Sequence, residues 1–201
     1  TVVRTLQNMI QGRRIEDIEV KWDKTVDQDT DIFKQKLINQ HFNEFKRRGK
    51  YLLFEMDDCS LCVHLRMEGK FFVQNKDEEI SKHVHVIFSL DDGTQLRFHD
   101  TRKFGRMEVI GKRENYDDLK GLGLEPFDCR LNVLYLNEMR KGRSVSLKQF
   151  LLDQHVIAGI GNIYADEICY LMRLHPATRI SKLSRKDLQN CIDSTQKVLL
   201  A

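Results

Sequence analysis

The chain has 201 residues, 41% of them apolar and 31% charged, with a formal net charge of +3. This is enough apolar material for one large domain or two small ones, and too small a charge imbalance to announce a nucleic-acid partner unless the basic residues cluster. No apolar run approaches the roughly 20 residues of a membrane helix, and the opening Thr1-Val2-Val3-Arg4 is not a signal peptide. The five cysteines, an odd number with several in apolar runs, favour reduced thiols and a cytoplasmic setting. Cys59 and Cys62 form a CxxC, but no second pair accompanies it, and core packing is favoured over zinc, which needs four ligands.

Val2, Val3, Leu6, Met9 and Ile10 fall at helical spacing, with Gly12 placed to end the helix. Alternation of Ile18, Val20 and Trp22 predicts a strand over 15–22, followed by a polar loop over 23–30 and a short helix over 31–39. Short strands are then predicted over 50–56, 59–65, 70–73, 84–90, 94–99 and 106–110, with Asp57-Asp58 and Asp91-Asp92-Gly93 as turns. The texture changes between residues 112 and 130. Helices are predicted over 132–140, 146–152, 163–172 and 185–201, with Asn162 as the N-cap of the third and Ser184 opening a box-like cap with Asp187. The chain therefore reads as α+β, an N-terminal antiparallel β-sandwich domain over residues 1–120 and a helical domain over 121–201. It begins and stops inside predicted helices, so both ends read as cut.

Between two of the helices lies Asp153-Gln154-His155-Val156-Ile157-Ala158-Gly159-Ile160-Gly161-Asn162. Two glycines one residue apart permit tight turns, and the N–H groups of the helix that follows can hold an anion. A helix connection whose glycines merely permit packing is the competing reading. The whole run from Leu147 to Glu167 resembles the helix–two-turns–helix signature of the formamidopyrimidine and endonuclease VIII glycosylase family, and His175-Pro176 also matches. The resemblance covers essentially the whole chain, and implies the strand sandwich and helical domain already read from the pattern.

Other points take their meaning from this resemblance. Lys46-Arg47-Arg48-Gly49-Lys50 is the densest basic cluster, either a solvated face or a phosphate contact. By the resemblance Lys50 reaches the active site, touches phosphate beside the lesion and assists catalysis. Met67 in a predicted turn, and Arg102 and Phe104 in a second, resemble the void-filling triad of the formamidopyrimidine branch, in which apolar wedges part the stack and an arginine meets the orphaned base. That triad implies oxidised or ring-opened purines as substrates. His83, Lys103, Arg143, Lys148, Asn162 and Tyr164 are the further candidate DNA contacts. Lys103 stands where the family often has arginine, within Thr101-Arg102-Lys103-Phe104-Gly105 in place of the frequent Pro-Arg-Arg-Phe-Gly, and a lysine lacks the bidentate fork.

The family's opening Pro-Glu-Leu-Pro-Glu, whose proline amine is the nucleophile and whose glutamate moves protons, is not in this sequence, nor is the four-cysteine zinc finger that follows the helical domain. The resemblance thus implies a base-excision-repair glycosylase with AP lyase activity in its complete form, while the 201 residues alone are expected to be inactive. No metal or other cofactor is expected within residues 1–201, and one structural zinc is expected in the absent finger. The implied partner is double-stranded DNA carrying an oxidised purine or abasic site, bound by a monomer in the cytoplasm, nucleoid-associated and without membrane. A rival is a non-catalytic damaged-DNA-binding module or truncated paralogue, since helix–two-turns–helix elements also bind nucleic acid in ribosomal and topoisomerase proteins.

Overall fold

The computed structural model describes residues 2–113 and 115–200, and the chain divides into two compact units, Thr1–Glu114 and Asn115–Ala201. In the first unit, α1 (Val2–Ile10) buries Leu6 and Ile10, one turn apart, and Gly12 at φ +79° turns the chain out of it. Eight strands follow: β1 (Ile15–Val20), β2 (Glu44–Arg48), β3 (Tyr51–Glu55), β4 (Cys59–His64), β5 (Lys70–Asn75), β6 (Val84–Leu90), β7 (Thr94–His99) and β8 (Arg106–Gly111). They form two antiparallel four-stranded sheets, ordered β1-β6-β7-β5 and β2-β3-β4-β8. A short helix, α2 (Thr30–Leu37), starts at Asp29, whose carboxylate accepts the N–H groups of Asp31 and Ile32, both at 3.0 Å.

Phenylalanines fill the space between the sheets. Phe54 on β3 meets Phe71 on β5 at 5.6 Å between ring centroids, and Phe71 meets Phe98 on β7 at 5.2 Å. Phe33, Phe42, Phe54, Phe88 and Phe98 are fully buried, each worth roughly 1.5–3 kcal/mol relative to exposure. Cys59 lies in this core with Leu61 and Val63. Cys62 is an odd number of residues further along β4 and points to the opposite face, so the CxxC pair cannot converge on one metal. Arg97 is buried yet satisfied. It donates to the carbonyls of Asn75, Glu78 and Glu79 at 3.0–3.1 Å and to Gln95 Oε1 at 2.9 Å, closing the connection between β5 and β6.

The second unit carries α3 (Val133–Met139), α4 (Leu147–Leu152), α5 (Asn162–Met172) and α6 (Arg185–Leu200) around a core of Leu136, Leu147, Phe150, Ile157, Ile160, Ile168, Ile180, Leu188 and Cys191. Their starts are written in the sequence. The Asn132 side chain accepts the Tyr135 N–H, Ser146 and Gln149 form a capping box, and Ser184 and Asp187 form another.

The structure departs from the sequence-based expectations at three places. Residues 44–48, for which no element was expected, form β2, because Phe45 and Arg48 are buried when the strand pairs with β3. The polar stretch 23–30 contains a 3-10 turn, Asp23–Thr25, and already begins α2 at Thr30. The N-cap of α5 is Gly161 and not Asn162, which is the first helical residue.

Candidate functional site

Strand register gathers one group of candidates. In one sheet Arg48, Tyr51, His64 and Arg106 lie side by side across β2, β3, β4 and β8. In the other, Val84, His99 and Lys70 lie side by side across β6, β7 and β5. Three connections leave from these rows: the β2–β3 turn with Lys50, the β4–β5 turn with Met67, and the β7–β8 turn with Arg102, Lys103 and Phe104. The last two run from one sheet to the other beside each other, since β4 pairs with β8 and β5 with β7. His83 directly precedes β6 at the same end. Candidate residues as far apart in sequence as Lys50 and Phe104 thus share one end of the sandwich.

Each turn is fixed by its own chemistry. Gly49 takes φ +57° at the first position of the two-residue β2–β3 turn, a geometry that favours glycine, and presents Lys50 to solvent. Neighbouring protein atoms still displace enough water to push the Lys50 pKa below the usual lysine value. In the β4–β5 turn Arg66 is left-handed at φ +57° and donates its N–H to His64 Nδ1 at 3.0 Å, while Gly69 N–H closes onto Leu65 O at 3.0 Å. A Cβ on Gly69 would stand 2.4 Å from that carbonyl, so this closure needs glycine. Met67 is left 71% exposed at the tip.

The β7–β8 turn is organised by Asp100, whose side chain sequence reasoning passed over. Its buried carboxylate accepts the Arg102 N–H at 3.0 Å and the Gly105 N–H at 2.7 Å. Its backbone N–H donates to His83 O at 2.9 Å, and His85 Nε2 lies 2.7 Å from its carbonyl. His85 is therefore a buried brace, whereas the half-buried His83 ring meets His99 at 5.4 Å. Phe104 is 48% exposed, with the Arg102 guanidinium 4.9 Å from its ring centroid. Lys103 is left-handed at φ +59° and lays its ammonium 4.2 Å from the ring of Trp22, the only tryptophan in the chain. An aspartate before a turn, able to cap N–H groups two and five residues on, was the available signal for Asp100.

This end of the sandwich is basic. His64 shows it: burial first, then the positive charges of Arg66 and Lys50, lower its pKa to about 4. Within the basic run itself the charges are partly spent, since Lys46 is bound by Glu55 at 2.6 Å and Glu44 at 3.0 Å, which raises its pKa.

In the second unit the 153–161 connection is closed by one side chain that sequence reasoning missed. Gln154 Nε2 donates to the carbonyls of Leu152 and Ile160, both at 2.9 Å, while its Oε1 accepts the Gly159 N–H at 2.9 Å. Gly159 is at φ +97°, the conformation the glycine was expected to supply. The α5 ladder begins with Ala165 N–H to Gly161 O at 2.9 Å, so the three N–H groups before it lie outside the helix's own bonding. Asn162 is exposed, and its side chain makes no hydrogen bond among the described residues; Tyr164 beside it is also exposed. Arg143 and Lys148 are held within the unit, Arg143 by Asp153 at 2.6 Å and Lys148 by Asp166 at 2.7 Å.

Two family models divide the sequence between them: the formamidopyrimidine-DNA glycosylase N-terminal domain matches residues 1–107 and the formamidopyrimidine-DNA glycosylase H2TH domain matches 122–201. The chain belongs to the formamidopyrimidine-DNA glycosylase family. Curated relatives of that name include proteins of Bacillus cereus, 41% identical, and Ligilactobacillus salivarius, 40% identical, with 98% and 99% of this chain aligned to 73% of each relative. Among solved structures, the Lactococcus lactis glycosylase in complex with abasic-site DNA superposes with a TM-score of 0.92 at 34% identity, covering all of this chain and 74% of that one. The same enzyme bound to DNA containing a formamidopyrimidine guanine lesion gives 0.91 at 34% identity, covering 99% of this chain and 76% of that one. The α+β assignment stands with these relatives. No helix among the described residues is long and apolar enough to cross a membrane.

Proposed function

We propose that this chain is the lesion-handling part of a DNA glycosylase with AP lyase activity, acting as a monomer on duplex DNA that carries an oxidised or ring-opened purine. The observation that carries this reading is the exposure of Met67, Arg102 and Phe104 on adjacent, internally braced turns at one basic end of the sandwich. Two exposed apolar side chains beside a guanidinium suit the vacancy left by an extruded nucleotide: the apolar groups part the stack and the arginine meets the unpaired partner base. Lys50 and His83 at the same end, and Asn162 with the free N–H groups of α5, are assigned to phosphates of the distorted strand. Lys103, Arg143, Lys148 and Tyr164 are given lesser roles, because the three cations already have partners in the fold.

The amine nucleophile and its neighbouring glutamate are assigned to the family's Pro-Glu-Leu-Pro-Glu segment, and a structural zinc to its four-cysteine finger; residues 1–201 include neither. The described residues contain no group of three or more His, Cys, Asp or Glu able to hold a metal ion. The 201-residue polypeptide is accordingly expected to bind a duplex with an abasic-site analogue more tightly than an intact one, with affinity falling as salt rises. Borohydride is expected to trap a covalent adduct on oxidised-guanine duplex only when the chain also carries the proline segment. Equal affinity for gapped and intact duplex would refute the lesion-handling role. Lesion preference without any adduct from the proline-bearing chain would leave a binding module in place of an enzyme.

A further inference from the structure

Met67 and the Arg102–Phe104 pair belong to turns 33 residues apart in sequence, and a side-chain bond joins those turns directly: the Thr101 hydroxyl donates to Glu68 Oε2. Glu68 immediately follows Met67 and Thr101 immediately precedes Arg102. Each partner is anchored on its own side. Glu68 lies within the closure of Leu65 O by Gly69 N–H, and Thr101 lies within the loop that the Asp100 carboxylate closes onto Arg102 and Gly105. The bond therefore links two fixed frames rather than two floppy side chains. The carboxylate keeps its negative charge at the basic end of the sandwich, since a hydroxyl donor does not neutralise it.

We infer that Glu68 and Thr101 form a latch that makes the three void-filling side chains a single rigid wedge, so both act as positioning residues for DNA with a missing base. This rests on the function proposed above. Without the latch each turn remains folded, but Met67 and the Arg102–Phe104 pair must be ordered separately when they enter the stack, and that ordering weakens binding to gapped DNA alone. An undamaged duplex has no vacancy to fill, and its affinity does not depend on the link.

The test uses the 201-residue chain and two duplexes, one intact and one with a tetrahydrofuran abasic analogue opposite 2-aminopurine. Thr101→Val and Glu68→Ala are each expected to lower the ratio of abasic to intact affinity by about three- to fivefold, toward the low end of what one net hydrogen bond contributes, because both residues are exposed to competing water. The double variant is expected to lose no more than either single one, since both remove the same bond. Thr101→Ser keeps the hydroxyl and is expected to restore the ratio. Glu68→Gln keeps an acceptor, so it should retain the ratio while raising affinity for both duplexes by removing a negative charge. The 2-aminopurine emission, which reports unstacking of the orphan base, should fall in Thr101→Val while the thermal midpoint of the protein stays within about 2 °C. Wild type that prefers the abasic duplex, with variants that keep its ratio or lose it additively, overturns the latch and leaves the proposed function standing. Wild type with no preference overturns both.

Discussion

Asp100→Asn is the most searching perturbation of the wedge, because it changes one buried oxygen into an amide nitrogen without altering shape. The Asp100 carboxylate receives two N–H groups, from Arg102 at 3.0 Å and Gly105 at 2.7 Å, and the residue is 1% exposed. An asparagine can accept only one of them. Its NH2 then faces the other donor, and Gly105, itself buried, cannot turn to water. A buried donor left unsatisfied costs about 1–3 kcal/mol, and a bond to a charged acceptor is also lost, so a loss of about 2–3 kcal/mol is expected. For a unit of this size that corresponds to a thermal midpoint lower by on the order of 10 °C. Trp22 is the only tryptophan and lies in the first unit, so urea unfolding followed by its fluorescence reads this unit alone. Asp91→Asn, in an exposed hairpin, serves as the control and is expected within about 0.5 kcal/mol of wild type. Preference for the abasic duplex should fall with the stability of the turn. An Asp100→Asn protein unfolding within about 0.5 kcal/mol of wild type refutes the account of how the turn is held.

Three further outcomes follow from the same geometry. Asn162→Ala should weaken DNA binding several-fold while leaving the thermal midpoint within about 2 °C, since the side chain is exposed and caps nothing; unchanged affinity by fluorescence anisotropy would remove Asn162 from the interface. Asp166→Asn releases Lys148 from its 2.7 Å ion pair and should raise DNA affinity about two- to fivefold at low salt with a steeper salt dependence, while a flat response would show that Lys148 points away from phosphate. Acidification should destabilise the first unit through His64, whose folded pKa of about 4 lies below the unfolded value of about 6.5. The unfolded chain then binds the extra proton between those values, so this contribution is complete above about pH 6.5 and is lost as pH falls toward 4. Protonation also removes the Nδ1 lone pair that accepts the Arg66 N–H. His64→Gln should flatten the pH dependence of urea midpoints over that window without abolishing it, because burial lowers the His99 pKa as well.

Much of this arrangement was legible in the sequence, for identifiable reasons. Helix starts at Asn132, Ser146 and Ser184 were readable because a cap is a local bond between residues three apart. The hairpin at Asp91-Asp92-Gly93 was readable because Gly93 had to take φ +81°. β2 was hidden because its charged residues resemble a surface run, and only pairing with β3 buries Phe45 and Arg48. Asn162 looked like a cap because asparagine favours that position, whereas Gly161 takes it through backbone conformation alone, leaving the asparagine free. Asp100 carried a local signal that went unused, an aspartate able to cap N–H groups two and five residues on, whereas the roles of Gln154, Glu68 and Trp22 were not legible, since each depends on a turn geometry or a distant partner that no local pattern announces.

The deeper regularity is that the residues proposed to act as a wedge are exposed, while the turns that carry them are closed by buried side chains and backbone. Met67 and Phe104 are left in water at a hydrophobic cost that a folding-only criterion would remove by burying or replacing them. Their turns tolerate this because closure comes from elsewhere: Gly69 on Leu65 O, Asp100 on two N–H groups, and Gly105 so close to Phe98 that a Cβ would lie 2.4 Å from the ring. A flexible turn would let those apolar groups fold back onto the sandwich and lose the shape that enters a base stack. Rigid support beneath exposed apolar tips is what insertion between bases requires, because the unstacking work must come from binding and not from ordering the protein at the same time. The strand register supplies the support for free of any dedicated element: pairing His64 with Arg106 and Lys70 with His99 is enough to set the two turns side by side.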